Sequence, residues 1–308
     1  MEERGGCQGA RGGRGRRGSG RGDAGGGSGQ GREVQVSKAL SKLLRHHAEK
    51  EGLQLDDGGF ARLDQVMQWP RLKSLHVTFD DIKTVVVDNA KQRFSMKPSP
   101  SLSTPDLSST NAADWIIRAN QGHSIAIDAS SLLTPVTLDT LPETVIHGTY
   151  FAFWEAIVES GGLKRMTRNH IHFSTGLPEG KEDIISGMRK DAEILIYVDI
   201  KRSLEEGGVK WWKSENGVVL TDGNVEGMLS SKYFTRVEGR REEVGILWED
   251  GKEVAKLPEK QRGRKPPRGK EVRGDGHRGG AGRGNGRRRG RDRGRGKQLD
   301  GEVRQGET

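Results

Sequence analysis

Four short runs hold the side chains of this sequence best suited to chemistry. Arg45 and His46 are adjacent in LLRHHAEK. They pair a permanent cation with a group that exchanges a proton near neutral pH. The plain alternative is a solvated arginine beside a histidine that caps a helix end. Arg118 precedes ANQGHS, six consecutive small or polar residues, more than a purely structural strand needs. Arg189 follows SGM. In HGTY (147–150), His147, Gly148 and Thr149 offer an imidazole, a bare backbone amide and carbonyl, and a hydroxyl. Such a set can bind a ribose hydroxyl and pair with a carboxamide. In RNHIHF (168–173), His170 and His172 are two apart and share one face of a strand, while Asn169 points the other way.

Metal binding is the competing reading of these histidines. The sequence has no HExxH, its only cysteine is Cys7, and no acid stands at ligand spacing beside HIH. The expectation is therefore a site without a metal.

The elements that must carry these residues follow from periodicity. SKALSKLLRHHAEKEGL (37–53) places Val36, Leu40, Leu43, Leu44 and Ala48 on one helical stripe, with Gly52 as its cap. Arg45 and His46 fall off that stripe. DDGG (56–59) is a turn, and Phe60 to Met67 a second short helix. A third helix over 78–91 opens with Thr78 and Asp81 at capping-box spacing. Two strand-like runs follow, 92–96 and 115–120, joined by the Ser/Pro-rich stretch 97–113, which reads as flexible. Three helices and a two-stranded ribbon describe a winged helix with a lengthened wing. The second half reads as short strands (TVIHGTYF, HIHFST, EILIYVDI, WWKS, NGVVLT, YFTRVE) with one helix at 151–163. The fold class is α+β, and no GxGxxG opens a helix as a dinucleotide fold requires.

Composition sets the limits. The 308 residues carry 52 Lys+Arg and 43 Asp+Glu, a formal +9. Residues 1–33 and 252–308 hold 28 of the 46 glycines and carry +3 and +11, which leaves −5 on the body. The basic character belongs to the Arg/Gly-rich ends, so a nucleic-acid site on the body must be a local cluster. These ends bury almost nothing and are expected to be disordered, binding RNA without sequence preference. The expected domains are a tail (1–33), a winged-helix RNA lobe (34–130), a second lobe (131–251) and a basic tail (252–308). A lone cysteine, no apolar run long enough to cross a bilayer and no signal peptide point to an intracellular protein of nucleus, cytoplasm or both, with no membrane partner.

In order, SKALSKLLRHHAEKEGL, DNAKQRF, IRANQGHS, HGTY, GGLKRMTRNHIHFSTGLP, SGMRKDAEILIYVDI and NGVVLTDGNVEG resemble the NAD-dependent tRNA 2′-phosphotransferase family (the KptA/TPT family) over about residues 36–238. Seven collinear motifs make the resemblance specific. It implies a winged-helix lobe followed by a mixed-β lobe of the ADP-ribosyltransferase type that binds NAD. It also implies a two-step reaction. An internal RNA 2′-phosphate attacks the nicotinamide-bearing ribose carbon and expels nicotinamide. The ribose 2″-hydroxyl then attacks the phosphorus, giving plain RNA and ADP-ribose 1″,2″-cyclic phosphate.

By that resemblance Arg45, His46, Arg118 and Arg189 form the catalytic set. It assigns His147 to the adenosine ribose, Gly148 and Thr149 to the nicotinamide end, and one of His170 or His172, with His170 favoured, beside the nicotinamide. Asn169 joins this NAD-binding group. Planar guanidinium donors suit a phosphomonoester of charge roughly −1.5 to −2. The strand NGVVLT (216–221) carries no counterpart of the catalytic glutamate of protein-modifying relatives, as fits an anionic nucleophile. His47 and the 97–113 stretch depart from the family pattern.

Two other readings remain. One is ADP-ribose capping of terminal nucleic-acid phosphates; the other is RNA binding without catalysis. The expected partner is tRNA bearing an internal 2′-phosphate, and a monomer is the favoured state.

Overall fold

Val36, Leu40, Leu43, Leu44 and Ala48 are at most 1 % exposed, so the stripe read from spacing is the buried face of the first helix. In the computed structural model, which describes residues 28–177 and 187–267, that helix begins at Ser28 rather than 37. It runs to Lys42, widens into a π turn at Leu43–His47, tightens to a 3₁₀ turn at Glu49–Glu51 and stops at Gly52, φ +71°. The early start matters for the tail. Arg32 forks onto Asp81 at 2.8 and 3.1 Å and donates to the Leu75 and His76 carbonyls. Residues 28–33 therefore belong to the fold, which corrects the tail boundary at 33. Composition missed this because a glycine-rich run hides one well-anchored arginine.

The expected short helix from Phe60 is a two-residue strand, Ala61–Arg62, then a helix, Leu63–Met67. A further helix, Pro70–Ser74, starts on its proline. The third expected helix is Phe79–Val87, opened by the Thr78–Asp81 capping box. Strands Phe94–Pro98 and Trp115–Ala119 pair antiparallel, with Ser95 opposite Arg118. Ala61–Arg62 adds a third strand on the far side of Trp115–Ala119, where a two-stranded ribbon was expected. The stretch between them is tied locally. Ser99 N donates to Asp114 O at 2.7 Å and the Trp115 indole to Ser109 O at 2.9 Å. These helices and strands enclose one apolar core.

A second core lies under two sheets. One orders its strands Lys252–Glu253, Ile246–Glu249, Phe234–Gly239, Ile194–Val198 and Ile146–Thr149. The other orders Thr134–Pro135, Lys210–Lys213, Val219–Gly223 and Ile171–Phe173. The pair Ile146–Ser174 joins them through two backbone hydrogen bonds of 2.8 and 2.9 Å. Helix Phe151–Glu159 buries Phe151 and Trp154 in this core. It is shorter than the expected 151–163, because Gly162 and Leu163 enter a strand, Gly162–Lys164. Every strand pair among the described residues is antiparallel. Hairpins such as Lys213 to Val219 leave no room for the crossover that a parallel pair needs.

Both cores lie in one unit that reaches Pro266. The fold runs past 251: Leu257 is 3 % exposed and Arg264 forks onto Glu242 at 2.6 and 2.9 Å. The basic tail expected from 252 thus begins with packed residues, another boundary that charge composition set too early. The rest of both Arg/Gly-rich ends lies outside the described residues. Among the described residues no helix is long and apolar enough to cross a membrane.

Candidate active site

Arg45 occupies the π turn. In a regular helix its carbonyl would accept an amide four residues on; here it accepts Ser124 N at 2.9 Å. Ser124 also fixes the neighbour, with its hydroxyl 2.8 Å from His46 Nδ1. The loop after strand Trp115–Ala119 therefore holds both residues through one serine. The Arg45 side chain is 7 % exposed, yet Nε and Nη2 have no hydrogen-bond partner. Burial, then the charges of Arg168 and Arg93, push its pKa down to about 9. A buried guanidinium left unpaired is costly, and an incoming anion would relieve that cost.

An open groove of about 540 Å³ exposes this constellation. Arg45, His46, Arg93 and Arg168 all line it. Residues Val34, Ser37, Lys38, Ser41 and Lys42 continue it along the helix at three- and four-residue spacing. Burial, followed by Arg168, Arg45 and His47, lowers the pKa of His46. Among the described residues no carboxylate is salt-bridged to Arg45, Arg93 or Arg168. Among the described residues Glu33 and Asp88 are the acids that line the groove.

The expected residues distribute as follows. Arg189 lies with its guanidinium 5.3 Å from the centre of the Tyr150 ring, close enough to Arg168 to lower its pKa after burial has done so. Arg118 does not line the groove. It donates to Gly58 O at 3.1 Å and to Glu215 at 2.9 Å, and it stacks over Phe60 at 4.6 Å. Arg93 and Arg168 line the groove, and the sequence reading named neither. They stood in DNAKQRF and RNHIHF, where the histidines and the strand pattern drew the attention.

His147 and His172 are linked. The Nδ1–H of His147 donates to His172 O at 2.9 Å, which leaves Nε2 as the ring's other nitrogen; burial pushes its pKa to about 4. His172 Nε2 is buried without a partner, and its pKa is lowered by burial, then Arg168, His170 and Arg45. His170 lines a different recess with Asp222 and Arg165. Thr149 is 6 % exposed, and its carbonyl accepts Glu193 N. Gly148 is where it is for packing: a Cβ there would strike Met188 and come within 2.8 Å of Ala192 Cβ. Asn169 stitches the two cores, its amide donating to His123 O at 2.9 Å and its Nδ2 to Ile125 O at 2.8 Å. Among the described residues no three His, Cys, Asp or Glu are grouped to hold a metal ion.

A two-core α+β protein whose cores jointly supply a histidine and three arginines without carboxylate salt bridges to one groove suits an anionic, phosphate-bearing ligand. A family model described as RNA 2′-phosphotransferase, Tpt1/KptA family, matches residues 31–223. The chain is 40% identical over 205 residues to mouse tRNA 2′-phosphotransferase 1, covering 67% of this chain and 76% of that protein. It is 41% identical over 195 residues to the tRNA 2′-phosphotransferase of Saccharomyces cerevisiae, covering 62% and 79%. A probable RNA 2′-phosphotransferase of Rhizobium leguminosarum is 35% identical over 190 residues, covering 62% and 89%. The chain belongs to the RNA 2′-phosphotransferase family and is a transferase that acts on RNA.

Proposed function

We propose that this protein removes the splice-junction 2′-phosphate from tRNA by transferring it to NAD. The observation that carries this reading is the Arg45 guanidinium, buried and unpaired among Arg93, Arg168 and His46 in an open groove. Such a site gains most from a ligand with a dianionic head. Arg45, Arg93 and Arg168 would hold the phosphate oxygens and spread the charge that accumulates as the ribose hydroxyl attacks phosphorus. His46, with Nδ1 held by Ser124, presents its other nitrogen as acid, base or donor. The polar stripe Ser37, Lys38, Ser41 and Lys42 would carry the flanking RNA backbone.

NAD fits the second core on the chemistry of its unspent donors. His147 has one nitrogen pinned and one spare, His172 Nε2 is buried without a partner, and Arg189 lies beside Tyr150. When bound, NAD supplies the electrophilic ribose carbon and the hydroxyl that accepts the phosphate. His147, Gly148, Thr149 and Arg189 would orient it, and the buried, unpartnered Nε2 of His172 would offer it a further hydrogen bond. In this reading the first core is a winged-helix RNA lobe and the second an ADP-ribosyltransferase-type lobe. The Arg/Gly-rich ends add non-specific RNA affinity.

The test is to incubate the full chain with NAD and a short RNA bearing one internal 2′-phosphate, then weigh both products. Loss of the phosphate with appearance of ADP-ribose cyclic phosphate is expected. ADP-ribose retained on the RNA would instead mean capping, and unchanged RNA would mean binding without catalysis.

A further inference from the structure

The two halves of the phosphate groove come from different cores. Arg45, His46 and Arg93 belong to the first, Arg168 to the second. Their spacing depends on whatever fixes one core against the other. We propose that Glu215 and Arg118 form an inter-core clasp that positions Arg93 opposite Arg168, so that Glu215 is a positioning residue for phosphate transfer. The proposal rests on the reading of Arg93 as a phosphate-binding residue.

Glu215 stands on the hairpin that joins strands Lys210–Lys213 and Val219–Gly223. The hairpin tip is stiff. Ser214 N donates to Val218 O and Gly217 N to Ser214 O, both at 2.9 Å, and the Ser214 hydroxyl donates to Asn216 Oδ1 at 2.8 Å. From this tip three hydrogen bonds cross to the first core. Glu215 Oε2 accepts from Arg118 Nη2 at 2.9 Å and lies 2.7 Å from the Ser95 hydroxyl, while Asn216 Nδ2 donates to Lys91 O at 2.9 Å. Arg118 and Ser95 face each other on neighbouring strands, so one carboxylate spans both.

The segment so gripped is the one that bears Arg93. Gln92 takes φ +40°, a left-handed conformation that a side chain rarely adopts without restraint. Asn89 Oδ1 accepts from Lys91 N at 2.9 Å and from Arg93 Nη1 at 3.0 Å. Asn120 closes the other side, donating through Nδ2 to Gln92 O and through its amide to Arg93 O, both at 2.9 Å. The Ser95 hydroxyl also lies 2.7 Å from Asn120 Oδ1 and, having one proton, serves Asn120 or Glu215 at any moment.

The other end of the clasp reaches the second half of the groove. Strand Val219–Gly223 pairs with Ile171–Phe173, Leu220 opposite His172, and Arg168 lies just before that strand. A continuous path of backbone ladder and short hydrogen bonds therefore runs from Arg93 through Glu215 to His172. Arg118, held through its terminal nitrogens by Gly58 O and Glu215 and stacked on Phe60, is the anchor of this path.

The experiment is a double-mutant cycle on the full chain with 2′-phosphorylated RNA and NAD. Glu215→Gln and Arg118→Gln should each raise KM for RNA by about tenfold, and the double variant should be no worse than the poorer single, since contacting residues do not act additively. KM for NAD should stay near wild type. The reversed pair, Glu215→Arg with Arg118→Glu, should recover part of the loss. Wild-type kinetics in Glu215→Gln beside near-total loss in Arg118→Gln would overturn the clasp and give Arg118 the phosphate. Additive losses, or a KM for NAD that moves with KM for RNA, would overturn it too. Arg93→Gln is measured alongside. If it leaves RNA affinity and turnover intact, the reading of the phosphate site fails, whatever the cycle shows.

Discussion

Gly122 lies flat against the Arg45 guanidinium: a Cβ built on it would stand 3.3 Å from Nη1, and its backbone is at φ +89°. The one buried, unpaired arginine of the groove is thus covered by bare main chain. Gly122→Ala should cost about 1–3 kcal/mol from backbone strain alone and push the guanidinium off its seat. Urea unfolding read beside turnover checks both effects. A variant as stable and as active as wild type would show that this contact is dispensable.

Arg45→Met keeps the length of the side chain and removes an uncompensated buried charge. Thermal stability should hold or rise, while turnover falls by about a hundredfold or more, as for a lost transition-state donor. Destabilisation with retained activity would mean that Arg45 supports the fold and not the chemistry.

His46 should titrate below the ordinary histidine range, because burial, Arg168, Arg45 and His47 all disfavour its charged form. Arg168→Gln should move its pKa up. Inorganic phosphate bound in the groove should do the same, since an anion favours the imidazolium. The ring carbon shift followed by NMR reads both; insensitivity to Arg168→Gln would place that guanidinium away from His46.

His123 and His147 are held neutral chiefly by burial, with pKa values pushed to about 3 and about 4. Above about pH 6.5 neither folded nor unfolded histidine is charged and no penalty exists. As pH falls below that value the unfolded chain takes up protons that the folded one refuses. Each histidine should then remove about 1.4 kcal/mol of stability per pH unit, His147 down to about pH 4 and His123 further, to about 3. Urea denaturation at a series of pH values measures the slope, and His123→Gln should reduce it. A stability flat from pH 7 to 4 would sink the assignment.

What could be read along the chain was what local periodicity fixes. The stripe from Val36 to Ala48, the Thr78–Asp81 box and the Gly52 cap are each written within a few turns of helix, and each stands as read. Arg45 and His46 leave that stripe, which alone reads as a solvated arginine beside a capping histidine, and it is the family motif that singles them out. Arg93 and Arg168 were not singled out, because what brings them into one groove is the meeting of segments 75 residues apart in sequence. Arg118 shows the converse. A strand arginine among polar neighbours looks the same whether its guanidinium awaits a substrate or is already held by Glu215, 97 positions on. The tail boundaries failed for a related reason: glycine and charge content cannot register a single anchored side chain such as Arg32 or Leu257.

The π turn at Leu43–His47 puts one more residue into its loop than a regular helical turn holds. It works as a phase shifter. Everything before it is set by the hydrophobic face against the first core, and everything after it is rotated by the extra residue. Deleting a single position there would heal the helix into a smoother spiral and leave the core contacts upstream intact. It would also swing Arg45 and His46 about a quarter turn away from the groove. For anyone transplanting this helix into another scaffold, the irregular turn is the part to carry over first.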